Sequence, residues 1–282
     1  PSPILVDAQA APDPDFPTVA FPNPEEPGAI DLALETAKSF DAHLVIANDP
    51  DADRCAAAVN DPVTGWRMLR GDELGAIFAE SIARKIDSGI FANSIVSSSI
   101  VKKIAAHYNL EFKETLTGFK WLAKIENLTF GYEEALGYAV DAITVNDKDG
   151  ISAAITLAQI ATDLASEGKT LLDLLDEVWA RHGFHATEQI SIRLSDLSKV
   201  GVILGGLRSN PPIDIAGRLV TSIDDLASPT DSLPPTDGLR IWLDGGVRII
   251  IRPSGTEAKM KCYIEAIEKD AKTAQVVLDQ LR

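Results

Sequence analysis

The sequence predicts a multi-domain α/β protein in which mixed α/β sheet domains are followed by a small α+β domain at the C-terminus. Its 282 residues exceed one ordinary hydrophobic core, because typical domains hold about 100 to 150 residues. Apolar runs alternate with helical periodicity before Gly183, which indicates α/β layers, and alternating strand patterns dominate after it. We therefore predict three domains, at residues 1–62, 63–185 and 186–282.

The predicted elements follow the periodicity of the apolar residues. Helices are expected over residues 26–40, 73–86, 101–108, 151–165, 195–207 and 271–281. Strands are expected over residues 44–47, 55–59, 94–97, 128–132, 189–194, 239–243, 247–251 and 260–266. The turn at 61–65, which contains a proline and a glycine, predicts the boundary between the first two domains.

The composition limits the possible partners. The chain has 26 Lys and Arg against 42 Asp and Glu, a net charge of −16, so its field repels nucleic acid and acidic membrane surfaces. A small phosphorylated substrate is compatible with this charge, because local cations or a bound metal reverse the potential in one cleft. Cys55 and Cys262 lack a disulfide or zinc pattern, and we expect both to be buried. With no signal-like start and no long apolar run, we expect a cytoplasmic protein.

Three carboxylates alternate in the segment NDPDADR, directly after a predicted strand. Asp49, Asp51 and Asp53 offer hard oxygen ligands that suit Mg²⁺. Apolar runs on both sides favour a metal site between two strands over a solvated acidic turn. Arg54 and Asn60 occupy the positions at which an EF-hand needs glycine and glutamate, which excludes that site.

A phosphatase of the haloacid dehalogenase type is an open alternative, because its nucleophilic Asp-x-Asp also follows an apolar strand. That class needs a downstream lysine and an acidic pair after another strand. Asp224 and Asp225 form the obvious pair, but they lie in the predicted C-terminal domain before a proline-rich loop. Their position weakens this alternative.

The segment RPSGTEAK follows the predicted strand 247–251. It combines a guanidinium, two hydroxyls and a flexible glycine, which together suit a phosphate. The four residues are Arg252, Ser254, Gly255 and Thr256. A polar hairpin turn with an incidental arginine would explain any two of them but not all four, so we predict a phosphate-binding loop.

Two glycine-bounded loops and a helix start lie between these motifs. TLTGFK carries Gly118 and Phe119, and GYEEALG carries Glu133 and a second glutamate. Carboxylates of this kind accept hydrogen bonds from sugar hydroxyls, although each loop alone is equally typical of a helix cap or a solvated turn. NDKDG opens a helix with acids that match its dipole. Lys148 is unnecessary for a cap, so we hypothesise that it contacts a phosphate or moves a proton.

Taken in order, NDPDADR, TLTGFKW, GYEEALGY, NDKDG and RPSGTEAK resemble the successive active-site loops of the phosphoglucomutase/phosphomannomutase family of phosphohexomutases. The order is specific, whereas each motif alone is not. The resemblance implies four domains around a cleft and a phosphoserine in the first domain that exchanges a phosphoryl group with a sugar monophosphate. It also implies Mg²⁺ as cofactor and glucose 1,6-bisphosphate as intermediate and activator.

The same resemblance implies roles for the matching residues. Asp49, Asp51 and Asp53 would hold Mg²⁺ against the phosphoserine, Arg54 would assist at that phosphate, and Lys148 would lie near the transferring phosphate. Gly118 and Phe119 would line the loop that selects the sugar, and Glu133 would bind sugar hydroxyls. The residues that would bind the distal phosphate are Arg252, Ser254, Gly255 and Thr256.

The sequence departs from the family pattern in three places. Ala135 stands where many members have a serine, which points toward a phosphopentomutase or a glucose-1,6-bisphosphate synthase. Ala258 stands where proline is common. We identify no Ser-His segment of the catalytic type, so we expect the chain to begin within the second domain and to be inactive by itself. A catalytically silent module that binds Mg²⁺ or sugar phosphate is the remaining alternative.

Overall fold

The architecture comes from a computed structural model that describes residues 2–196, 198–228, 233–254 and 258–282. Its helices are α1 Asp31–Ser39, α2 Gly71–Ala83, α3 Ile100–His107, α4 Phe119–Leu122, α5 Gly150–Ser166, α6 Leu171–His182, α7 Ser198–Ser209 and α8 Ala271–Leu281. Its strands are β1 Leu44–Asn48, β2 Cys55–Asp61, β3 Gly65–Met68, β4 Ile90–Ser94, β5 Glu111–Thr115, β6 Leu128–Glu133, β7 Gly137–Ala139, β8 Phe184–Arg193, β9 Asp214–Ile215, β10 Arg218–Asp225, β11 Leu239–Leu243, β12 Val247–Pro253 and β13 Lys259–Glu268. The predicted fold class is confirmed, because mixed α/β sheets are followed by a C-terminal α+β unit.

The first sheet has the strand order β1-β2-β3 and is antiparallel. Helix α1 packs on it through Ala37, which meets Val45 and Ala58 in a small apolar cluster. Helix α5 contacts β1 and β2. The predicted boundary at 62/63 falls in the turn between β2 and β3, and the division into three domains stays a prediction.

The middle sheet has the order β5-β4-β6-β7, with β5, β4 and β6 parallel and β7 antiparallel to β6. The carboxyl ends of parallel strands lie at one edge of a sheet. The segments that follow β4, β5 and β6 therefore leave the sheet at the same edge, and these include both predicted sugar loops.

The strand predicted at 94–97 is wrong, because β4 ends at Ser94. Ile95 and Val96 are nevertheless buried, 1 % and 4 % exposed. They pack in a cluster with Ile250 and Tyr263 of the C-terminal sheet. The apolar pair therefore serves a contact between two sheets and not a strand.

The third sheet is antiparallel and has the order β8-β13-β12-β11-β10-β9. Helices α7 and α8 contribute Leu204, Val277 and Leu278 to its apolar core. Strand β10 was not predicted, because its exposed polar positions hide the alternation that marks a half-buried strand.

Three smaller differences concern α6, β1 and the cysteines. Helix α6 was not predicted, although Thr170 and Asp173 form a reciprocal cap at its start. Strand β1 was read as buried, but only Val45 is fully enclosed. Cys55 is buried as expected, whereas Cys262 is partly exposed. No helix in the described part of the chain combines the length and apolarity that crossing a membrane requires.

We predict that replacing buried Ile77 on α2 by Ala lowers the free energy of unfolding by roughly 2 to 5 kcal/mol, because a cavity replaces apolar contacts. Ile77 is 0 % exposed, whereas Ile155 on α5 is 68 % exposed. The control Ile155→Ala should change the free energy by no more than about 0.5 kcal/mol. Urea unfolding followed by circular dichroism measures both, and equal losses would contradict the burial described.

A second prediction concerns Asp72, which accepts hydrogen bonds from Ser98 N at 2.8 Å, Tyr132 Oη at 2.9 Å and Thr187 Oγ1 at 2.7 Å. Burial raises the pKa of its carboxyl from 3.8 to about 6, against the lowering by the bonds from Ser98 and Thr187. The folded state therefore keeps a proton that the unfolded state releases, and this contribution to stability is lost as pH rises through about 6.

The measurement is urea unfolding of wild type and Asp72→Asn from about pH 4 to about pH 7. We expect the unfolding free energy of wild type to fall relative to that of the variant up to about pH 6 and to run parallel above it. A constant difference over the whole range would show that Asp72 does not take up a proton on folding.

Candidate active site

The three aspartates lie together in the β1–β2 hairpin. One carboxylate oxygen from each of Asp49, Asp51 and Asp53 lies within 4.8 Å of the other two. The hairpin brings them together because Ala52 adopts a left-handed conformation, φ 56°, and its N–H donates to Asp49 O at 2.9 Å. Asp49 is buried and Asp51 exposed. The donor set is all carboxylate oxygen, which suits a hard cation such as Mg²⁺.

Arg54 holds the buried member of the aspartate cluster. Its backbone N–H donates to Asp49 Oδ1 at 3.0 Å and its Nε donates to Asp49 Oδ2 at 2.6 Å. Burial raises the pKa of Asp49, but these bonds and the charge of Arg54 outweigh it and lower that pKa below 3.8. Asp49 is therefore an anion at neutral pH. The Nε of Arg54 also lies 3.7 Å from Asp53 Oδ1.

The start of α5 packs directly under this hairpin. Gly150 N donates to Ala52 O at 3.0 Å, and Asn48 Nδ2 donates to Arg54 O at 2.6 Å. A Cβ at Gly150 would collide with the backbone oxygens of Ala52 and Arg54. The glycine of NDKDG is thus required by the close approach of two backbones.

Lys148 reaches the same hairpin from the loop before α5. Its Nζ lies 2.6 Å from Asp53 Oδ2 and 3.9 Å from Asp147 Oδ1. Burial lowers the pKa of Lys148, but the bond to Asp53 and the charges of Asp53, Asp147 and Asp51 raise it above 10.5. The structure therefore presents a persistent ammonium group, which is suited to contact a phosphate and is a poor proton donor.

Both predicted sugar loops meet beside Lys148. Gly118 N donates to Glu133 Oε1 at 2.5 Å, and Gly118 has φ 113°, which favours glycine. An added Cβ at Gly137 would lie 3.1 Å from Lys148 Cδ and 3.5 Å from the ring of Phe119. A backbone bridge also joins Arg54 to Gly137. Hairpin 48–54, which carries the three aspartates, thus forms one continuous surface with Lys148 and the two loops.

Glu133 has cations on two sides. Burial raises the pKa of its carboxyl above 4.5, and the Gly118 N–H and the charges of Lys148 and Arg252 oppose that shift. Arg252 lies one residue before the end of β12, so the charge of the predicted phosphate loop acts on the loop of Glu133 across two sheets. Ser254 N donates to Lys259 O at 2.8 Å in the turn between β12 and β13. Gly255 and Thr256 lie outside the described residues.

A serine cluster behind Glu133 was missed from the sequence. Ser97 Oγ donates to Glu134 Oε2 at 2.8 Å and accepts from Glu134 N at 3.1 Å. Ser94 Oγ lies 3.0 Å from Ser97 Oγ. The only local signal is the run of serines after β4, and it was read as part of a strand.

The acidic pair that a dehalogenase-type phosphatase would need lies elsewhere. Asp224 Oδ2 accepts from Arg240 Nε at 2.9 Å, and Asp225 accepts from Arg208 on α7. Among the described residues, neither joins the cluster of Asp49, Asp51 and Asp53. The pair therefore forms ion pairs within the C-terminal sheet region.

Three family models match successive parts of the chain, all of them phosphoglucomutase/phosphomannomutase. The α/β/α domain II matches residues 2–65, the α/β/α domain III matches 70–182 and the C-terminal domain matches 208–280. The chain belongs to the phosphoglucomutase/phosphomannomutase family, the α-D-phosphohexomutases, as the order of its loops predicted.

Named relatives agree with this family. The chain is 47 % identical over 281 residues to a "Probable phosphomannomutase" of Haemophilus influenzae, covering 99 % of this chain and 57 % of that protein. It is 35 % identical over 316 residues to a "Probable phosphoribomutase" of Schizosaccharomyces pombe, covering 99 % and 53 %. The chain thus spans about half the length of the curated relatives it matches. These relatives are named as mutases, which are isomerases.

A solved structure shares the fold. The phosphoglucomutase/phosphomannomutase family protein of Burkholderia thailandensis superposes with a TM-score of 0.67 at 15 % identity, covering 92 % of this chain and 50 % of that one. At this identity the likeness concerns the fold alone.

We predict that Asp51→Asn weakens Mg²⁺ binding by at least about tenfold, because it removes one charged oxygen ligand from the cluster. The control Asp147→Asn removes an equal charge nearby, from a side chain that is 61 % exposed and 3.9 Å from Lys148. It should change the affinity by no more than about threefold. Calorimetric titration with MgCl₂ measures both, and equal losses would mean that general charge, not ligation, attracts the ion.

Proposed function

We propose that this chain carries the metal, sugar and distal-phosphate loops of a phosphohexomutase that interconverts sugar 1-phosphates and 6-phosphates. The reaction would run through a phosphoserine and a bisphosphate intermediate. The single observation that carries the proposal is the convergence of four motifs from distant parts of the chain, with Arg252 of the fifth close enough to act on them. Lys148 forms an ion pair with Asp53 of hairpin 48–54 and lies beside Gly137, and the charges of Lys148 and Arg252 both act on Glu133.

Each group in this surface has a task that its chemistry suits. Asp49, Asp51 and Asp53 would hold Mg²⁺, which when bound neutralises charge on a phosphoryl oxygen. Lys148 would bind the transferring phosphate as an ammonium group. Its contact with Asp53 keeps that charge next to the metal hairpin.

The remaining loops would orient the sugar. Glu133 has its Oε1 engaged by Gly118 N, which leaves the second carboxylate oxygen to accept hydrogen bonds from sugar hydroxyls. Arg252 would bind the distal phosphate through its forked N–H groups, together with Ser254 and the two residues that follow it. Phe119 would line the loop beside the sugar.

The partner in this proposal is a small phosphorylated sugar, with neither nucleic acid nor a membrane involved, and glucose 1,6-bisphosphate is the proposed activator. A net charge of −16 disfavours polyanions, whereas Arg54, Lys148 and Arg252 supply the local positive charge that a phosphate needs.

A phosphopentomutase is the second candidate, and one feature of the chain favours it. Ala135 stands in the sugar loop where many family members have a serine, and a relative at 35 % identity carries the name "Probable phosphoribomutase". Loss of a hydroxyl here would remove one hydrogen bond to the sugar. Substrate preference therefore decides between the two candidates.

The test is a coupled assay with Mg²⁺ and trace glucose 1,6-bisphosphate on glucose 1-phosphate, mannose 1-phosphate and ribose 1-phosphate. We propose that the protein encoded by the whole gene turns over, whereas the 282-residue chain, checked by intact mass, binds these ligands without turnover. Turnover by the chain alone would contradict the phosphoserine mechanism. Absence of binding would contradict the function itself.

Within that assay, Arg252→Met should lower kcat/KM of the active protein by at least about tenfold, because a charge-assisted phosphate contact is lost. Arg218→Met is the matched control, since Arg218 lies near the opposite end of the same sheet and bonds Asp244 O at 3.3 Å. The control should retain activity within about twofold. An equal loss in both variants would show that the sheet, not the phosphate contact, had been damaged.

A further inference from the structure

A buried ion pair joins the C-terminal sheet to the middle sheet. Arg248 on β12 and Glu265 on β13 are opposite each other in the ladder, and both are almost completely buried, 4 % and 2 % exposed. The Nη2 of Arg248 lies 2.8 Å from Glu265 Oε2. The same guanidinium donates from Nη1 to Ile95 O at 2.9 Å and from Nη2 to Ser97 O at 2.6 Å.

Glu265 holds the same segment from its other oxygen. Its Oε1 accepts from Ser98 Oγ and Ser99 N, each at 2.7 Å, and lies 2.9 Å from His185 Nδ1. Burial raises the pKa of Glu265, but the charge of Arg248 and the bonds from His185 and Ser98 lower it to about 2. Both charged side chains therefore form hydrogen bonds with residues 95–99.

Residues 95–99 in turn hold the sugar loop. Ser97 Oγ both donates to the Glu134 carboxylate and accepts from Glu134 N. Glu134 directly follows Glu133, whose carboxylate holds Gly118. A chain of direct hydrogen bonds thus runs from Arg248 through Ser97 to the loop that carries Glu133.

Strand β12 connects Arg248 directly to Arg252 in the predicted phosphate loop. Arg248 and Arg252 are four residues apart, so their side chains project from one face of the strand with about 13 Å between them. Ile250, between them on that face, packs with Ile95 and Val96. The contacts of Arg248 with residues 95–99 therefore fix the position of Arg252 relative to Glu133.

We propose that Arg248 and Glu265 are positioning residues that fix the separation between the sugar loop and the phosphate loop, and so select the length of the sugar phosphate. This inference rests on the proposed function of those loops. Neither residue touches the substrate; both act through Ser97, Glu134 and the strand that carries Arg252. If the pair were purely structural, its replacement would alter stability and would weaken the binding of every ligand equally. A positioning pair should affect a ligand that spans both loops more than one that binds a single loop.

The test compares Arg248→Lys with Arg240→Lys. Arg240 on β11 also forms an ion pair between the sheets, 2.7 Å from Glu114 on β5, without a hydrogen bond to residues 95–99 among those described. Lysine keeps the charge but loses the forked geometry that lets one guanidinium reach two carbonyls and a carboxylate. Both variants therefore make the same chemical change, in a buried ion pair at Arg248 and in a partly exposed one at Arg240.

Calorimetry on the 282-residue chain measures Kd for two ligands. By the proposed function, glucose 6-phosphate spans both loops, whereas orthophosphate contacts only one of them. We expect Arg248→Lys to raise the Kd for glucose 6-phosphate by a factor at least about three times larger than the factor for orthophosphate. Arg240→Lys should change the two Kd values by the same factor. Equal weakening by Arg248→Lys would overturn the inference. Failure of the wild type to bind either ligand would instead overturn the proposed function.

Hydrogen exchange tests the positioning without a ligand. In Arg248→Lys, amide exchange of residues 131–137 should rise at least about threefold, and Ser97→Ala should give the same rise while leaving the Arg248 contacts to backbone carbonyls in place. The two effects should not add, because both interrupt one chain of contacts. Wild-type exchange at 131–137 in both variants would overturn the inference whatever the binding results.

Discussion

The negative charge of Glu265 must be neutralised inside the protein, and the junction of the middle and C-terminal sheets depends on that requirement. An unpaired carboxylate at this depth would be very costly, so Arg248, His185 and the serines of residues 95–99 have to be in place together. Such a network tolerates little displacement of either sheet, because removing one partner leaves a buried charge unsatisfied. Because the two sheets are fixed relative to each other, the loops at their edges are held at fixed positions as well.

The site resolves an apparent conflict between an acidic chain and an anionic ligand. The net charge is −16, yet Arg54, Lys148 and Arg252 concentrate positive charge around the proposed phosphate positions. Arg54 and Lys148 form ion pairs with Asp49 and Asp53, which hold these two cations in place while hairpin 48–54 remains acidic. Local arrangement, rather than overall charge, thus governs what the surface attracts.

Two close backbone contacts connect hairpin 48–54 to the rest of the site. Gly150 allows α5 to begin against Ala52 and Arg54, and the bridge from Arg54 to Gly137 ties the hairpin to the sugar loop. A side chain at Gly150 would separate these segments. The proposed metal ligands and the loop of Glu133 are therefore positioned by the same small group of contacts.

Motifs whose geometry is local could be predicted from the sequence. The alternating aspartates, Lys148 beside a helix start and the arginine near the end of β12 were all predicted from spacing, since a hairpin or a cap places such side chains within a few residues. The fold class followed from the same periodicity. The sequence did not reveal that Ile95 and Val96 form a contact between sheets, or that Glu265, Ser97 and Glu134 belong to one network. Those partners lie far apart in the chain, and their pairing depends on how strands distant in sequence align in space, which no local pattern encodes.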